Sequence, residues 1–208
     1  MSSYPKRVAD NILPLSVSGD LSEAFQEWFF TENTEDHEDV IENCQLCNQE
    51  QLRYHFEIKN KFTEEILQVG SSCILKFNVT VYDEKHSVLN EKDSKKKLEK
   101  LLQKMRLESC IKSLEKLAII ENNNILKNAL AYYSKNKYLT PKFAFVVFWK
   151  LKEKNIDHTP SFFKVSLKRN KFKEDLKLMD TRRVHLFWKA LTSSQKKLAI
   201  EYGHHAPK

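Results

Sequence analysis

The sequence predicts an α+β fold: a small cysteine-clipped β-hairpin module joined to a larger helical region. Three observations predict it. Three of the four cysteines (Cys44, Cys47 and Cys73) fall within one short stretch, around a segment of alternating polarity. From Ser94 onward, leucines and isoleucines recur at helical spacing. Glycine is scarce, at 3 in 208 residues, and proline low at 5, which suits long helices better than a turn-rich β fold. With 13 Phe, 7 Tyr and 3 Trp, the chain has the material for a real core.

Residues 1–19, with Pro5 and Pro14, read as an irregular leader. Asp20 or Ser22 caps a helix LSEAFQEWFF, with Leu21, Phe25, Trp28 and Phe29 on one side. The acidic stretch TENTEDHED follows as a loop. LRYHFEIKN then alternates, with Leu52, Tyr54, Phe56 and Ile58 on one face and Arg53, His55, Glu57 and Lys59 on the other: a half-buried strand. EEILQVG returns as its partner and Gly70 breaks it. Ser71 or Ser72 caps a short helical turn at Cys73, and FNVTVYDE again has strand character. The remainder is helical. Thr140 is an N-cap with Pro141 at the first helical position, Asp180 or Thr181 opens TRRVHLFWKALT, and Gly203 stops the last helix. The organisation expected is an N-terminal helix and acidic loop over 1–42, the β module over 43–92 and a basic helical region over 93–208.

The cysteine pattern carries the chemistry. A C-x-x-C knuckle supplies two soft ligands from one tight turn, and a hairpin brings Cys73 back to the same point, as in zinc ribbons and treble clefs. Zinc wants a fourth ligand, and Gly70 stands where a second C-x-x-C would begin. His55, on the polar face of the first strand, is the first choice; His37, just upstream of the knuckle, and Cys110 follow. The plain alternative is a three-thiol pocket without metal. The expected cofactor is a structural Zn2+. A thioredoxin-like role needs a βαβ context that this segment lacks.

The net charge of +7 is unevenly spread. Asp20 to Glu42 contains nine acids and no Lys or Arg, whereas bases outnumber acids nearly two to one from Asn43 onward. A basic body of this kind suits a polyanion, through phosphate contacts that release counterions. The candidate contacts are Arg53 and Lys59 on the hairpin, and Lys164, Lys168, Arg169, Lys171, Lys173, Arg182 and Arg183 in the helical region. The interleaved Phe162, Phe163, Phe172 and Trp188 fit a core better than a base-stacking surface. Arg53 is equally placed to pair with the acidic stretch.

Several classes find no support. There is no phosphate-binding glycine loop, no G-x-S-x-G and no H-E-x-x-H. No apolar run approaches the roughly 20 residues that span a bilayer. The opening residues lack a signal peptide's apolar core, and cysteine usage suits a reducing cytoplasm. The segments AFQEWFFTE, CQLCNQEQLRYHFEIKN, VGSSCILKF, YLTPKFAFVVFWKL and FFKVSLKRNKF resemble a family of small bacterial proteins, found in part on phage and other mobile elements. The resemblance runs from about Leu21 to Tyr202. It implies a zinc-ribbon-like module fused to a helical region, in a bacterial cytoplasm. The function expected is that of a nucleic-acid-binding accessory or regulatory protein with a structural zinc site. The alternative is a protein-interaction adaptor in phage–host or mobile-element biology.

Overall fold

The computed structural model describes residues 4–208. It is α+β: nine α-helices and one three-stranded antiparallel sheet among the described residues. The chain forms two compact units, Met1–Met105 and Arg106–Lys208.

The first unit begins with α1 (Tyr4–Ile12), where the sequence suggests an irregular leader. Val8 and Ile12, four residues apart, fall on one face of the helix and are fully buried. Next comes α2 (Leu21–Glu27), capped by Asp20, whose carboxylate accepts from the backbone N–H of Ser22 and Glu23 at 2.8 and 3.1 Å. This helix stops three residues earlier than its periodicity predicts. Trp28 opens β1 (Trp28–Asp36), which pairs antiparallel with β2 (Tyr54–Asn60); β2 in turn pairs antiparallel with β3 (Ile66–Gly70). The WFFT run suits either a helix or a strand. The ladder to β2 decides it, because it buries both Trp28 and Phe30 and satisfies the backbone.

The expected acidic loop is therefore largely the second half of β1. Its register shifts between Phe30 and Thr34, with Glu32 at φ 70°, and pairing resumes from Thr34 to Asp36. β1 and β2 share one sheet across residue 42. The expected strand at FNVTVYDE is reduced to isolated bridges, Phe29 with Thr80 and Tyr82 with Val88. α3 (Ser71–Lys76) begins directly after Gly70, its N-cap. The core of this unit gathers Trp28, Phe56, Ile58, Leu46 and Ile74 beneath α1 and the sheet.

The division between the units falls within α4 (Glu91–Ile120). The second unit continues through α5 (Asn124–Asn136), α6 (Pro141–Glu153), α7 (Asn170–Lys177), α8 (Thr181–Phe187) and α9 (Ser193–Glu201). The predicted caps are present. The Thr140 hydroxyl accepts from Phe143 N–H at 3.3 Å, with Pro141 at the first position, and the Asp180 carboxylate accepts from Arg182 N–H at 2.8 Å. Gly203 adopts φ 92° just past α9, a conformation that favours glycine. Phe162, Phe163, Phe172 and Trp188 are all buried in this unit's core, with Leu114, Leu126, Leu151 and Phe187.

Candidate metal centre

The knuckle forms because Cys44 to Gln49 closes on itself. Asn48 N–H donates to the Cys44 carbonyl at 2.8 Å and Cys44 N–H to the Gln49 carbonyl at 2.9 Å, with Asn48 in the left-handed region. Cys73 comes from the first turn of α3. At Gly70, before it, a Cβ would lie 2.6 Å from Leu52 Cδ1, so a larger residue requires that side chain to shift. Leu52 thus fills the space that a second ligand at position 70 would need.

The three thiols converge. Cys73 Sγ lies 3.6 Å from Cys44 Sγ and 3.3 Å from Cys47 Sγ, and the three donor atoms all fall within 4.8 Å of one another. Each residue is at most 2% exposed. Sulfurs bound to a tetrahedral ion at about 2.3 Å stand about 3.8 Å apart, so the spacing suits a soft metal ion. No disulfide joins them. Their electrostatics already favour one thiolate. The hydrogen bond shared with Cys73 lowers the Cys44 thiol to about 5 against the effect of burial, and the Gly70 N–H, 3.4 Å from its sulfur, adds to it. Sharing that same hydrogen bond, together with burial, pushes Cys73 far up, and burial raises Cys47. A bound cation would let all three ionise together.

α1 closes one side of the centre. The Tyr4 hydroxyl lies 3.6 Å from Cys73 Sγ, Arg7 Nε donates to the Cys47 carbonyl at 2.9 Å, and Asn11 Nδ2 donates to the Leu46 carbonyl at 3.0 Å. Burial and the neighbouring thiol push the Tyr4 hydroxyl well above its ordinary value, so it stays protonated. Sequence reasoning missed this helix; the apolar spacing of Tyr4, Val8 and Ile12 was its one available signal.

His55 is 4% exposed and stands opposite Gly70 in the β2–β3 register. It does not join the thiols within the same 4.8 Å. Its Nδ1 faces His37 Nε2 at 3.0 Å, and His37 Nδ1 lies 3.6 Å from Glu35 Oε1. His55 Nε2 is buried with no hydrogen-bond partner. Burial, then the neighbouring His37, depresses the His55 imidazole and keeps it neutral. Cys110 lies in the core of the second unit and is absent from the thiol group.

The predicted basic contacts divide. Arg53 is engaged by Asp36, through Nε at 2.7 Å and Nη2 at 3.2 Å, and Lys59 pairs with Glu64. Lys164, Lys168, Arg169, Lys171, Arg182 and Arg183 are exposed and Lys173 is half-buried. Among the described residues no helix is long and apolar enough to cross a membrane. Compared with protein-family models, curated proteins and solved structures, the chain matches none of them.

Proposed function

We propose that the chain is a nucleic-acid-binding accessory or regulatory protein whose first unit is held together by a structural zinc ion. The observation that carries the metal reading is the buried trio of Cys44, Cys47 and Cys73 at near-tetrahedral spacing. Three thiolates and one imidazole make a familiar structural zinc set. His55 supplies the fourth ligand through Nε2. A buried ring nitrogen with no partner costs about 1–3 kcal/mol, and ligation relieves it. With the proton on Nδ1, His55 donates to His37, and His37 leans on Glu35. This is the outer-shell pattern that orients a ligating histidine. His55 lies outside the 4.8 Å thiol group, so ligation requires its ring to move toward the sulfurs. The Tyr4 hydroxyl, 3.6 Å from Cys73 Sγ, is placed to donate to that sulfur once it is a thiolate. With every ligand buried, the ion's role is to fold the unit rather than to meet a substrate.

The nucleic-acid reading rests on the second unit. Lys168, Arg169, Lys171, Arg182 and Arg183 are exposed, and none of them forms an ion pair among the described residues. Several occupy the first turns of α7 and α8, where the helix dipole disfavours cations. Arg169 and Arg183 also lie over Phe172 and Phe145, and contacts with phosphate give the group a role that the helix dipole does not.

Two measurements on one preparation test the reading. Elemental analysis should find about one zinc per chain, and Cys44→Ser with Cys47→Ser should lose the metal and unfold the first unit. Affinity for DNA or RNA should fall linearly in log–log form with salt, and Lys168, Arg169, Arg182 and Arg183 changed to Glu should abolish it. Zinc well below half an equivalent sinks the metal reading. Salt-insensitive binding, or none at low salt, sinks the second and leaves a protein-docking adaptor in its place.

A further inference from the structure

The three tryptophans of the chain differ sharply in environment. Trp28 is 0% and Trp188 7% exposed, whereas Trp149 on α6 is 45% exposed. Trp149 is not an isolated surface ring. It stacks on Phe145, one turn earlier, with centroids 5.9 Å apart and planes 11° from parallel. Arg183 of α8 places its guanidinium 5.0 Å from the centre of the Phe145 ring. Cation, ring and ring are therefore neighbours on one surface, and the indole is half-exposed there. Lys150 Nζ approaches the same indole at 5.1 Å.

Charge selects what such a surface takes. Arg183 and its exposed neighbour Arg182 have no carboxylate partner among the described residues. Three carboxylates of this region are occupied by lysines, and Asp180 caps α8. Glu153 pairs with Lys150 at 2.7 Å, and Glu121 pairs with Lys150 at 2.6 Å and Lys154 at 3.0 Å. Asp175 pairs with Lys142 at 2.8 Å. An apolar helix of a partner protein would use the indole but not the guanidinium groups. A phosphate chain carrying aromatic bases uses both. Duplex bases are already stacked on one another, so an open indole favours single strands.

We propose that the Trp149–Phe145 face of α6, with Arg183 against Phe145, is a stacking site for the bases of single-stranded nucleic acid. The proposal rests on the nucleic-acid reading above and gives it a strand class and a contact point. A base stacks on Trp149 while Arg183 meets the phosphate chain of the same strand. Stacking of this kind tolerates any base, so little sequence preference is expected.

The exposed indole is its own reporter. The full chain is titrated with oligothymidylate, oligouridylate and a duplex of equal length, following tryptophan emission and, separately, anisotropy of a labelled strand. The proposal expects single strands to quench emission strongly and duplex weakly. Trp149→Ala should bind single strands roughly 5–150-fold less tightly. Trp149→Phe should retain most of the affinity but lose the quenching, since Trp28 and Trp188 are buried. Salt-sensitive binding by anisotropy with unchanged emission, or Trp149→Ala binding like wild type, would overturn the stacking site and leave the nucleic-acid reading standing. Absence of any binding at low salt overturns both. Because the quenching arm uses the unaltered chain, it decides the matter even where a variant folds poorly.

Discussion

Single residues carry most of the stability argument in the first unit, and Glu27 is the clearest case. It is 6% exposed and accepts from Val17 N–H at 2.8 Å, Ser18 N–H at 2.7 Å and Asn60 Nδ2 at 2.9 Å. Burial alone would push its carboxyl up; the Asn60 amide and the two backbone N–H groups outweigh it and hold it below the ordinary range. Glu27→Ala strands three donors and should cost about 1–3 kcal/mol. A depressed carboxyl contributes stability above its unfolded value, near 4.3, and loses it as pH falls through the folded value. The gap between wild type and Glu27→Ala in chemical denaturation should therefore be full at neutral pH and narrow below about pH 4. The cysteine trio was legible in the sequence because C-x-x-C and a returning hairpin leave few geometric options. Glu27 and Tyr4 were not, since their partners lie far along the chain, at Asn60 and Cys73.

At the scale of elements, local signals read well where they did not compete. Thr140 with Pro141, Asp180 and Gly203 act as predicted, because each satisfies backbone groups that any helix end leaves open. The alternation in β2 and the return of β3 were equally plain. Residues 21–36 misled, because apolar spacing there fits a helix until long-range pairing with β2 overrides it. The acidic run misled for a related reason: its charges suggest a solvent loop, yet residues 34–36 pair with β2, while the anticipated pairing of Arg53 with this stretch is made at Asp36. The basic first turns of α7 and α8 yield a test of placement. Lys171→Glu and Arg182→Glu put favourable charge at helix N-termini and should each raise stability by about 0.3–1 kcal/mol. The same variants should weaken nucleic-acid binding. Thermal midpoint and anisotropy moving in opposite directions would mark these bases as kept for a ligand; a fall in both would count against it.

For the whole molecule, the α+β class was legible. Helical periodicity after Ser94 pointed to a helical region; α4 is continuous from Glu91 to Ile120 and the compact units divide within it. The knuckle also has a consequence beyond coordination. A three-stranded sheet has two rims, and unpaired rims recruit other chains. The rim at β1 is guarded by acids and a bulge. The rim at β3 is covered by the knuckle: Gln45 N–H donates to the Gln68 carbonyl at 3.0 Å, and the Gln45 side chain accepts from Gln68 N–H. On the proposed metal site, chelation frees Gln45 and bares an ILQVG rim of low charge. Chelator-treated protein should scatter light and bind an amyloid-reporting dye, while a charge placed at exposed Ile66, as Ile66→Lys, should suppress both. The ion would then serve as a guard against self-assembly as much as a fold element.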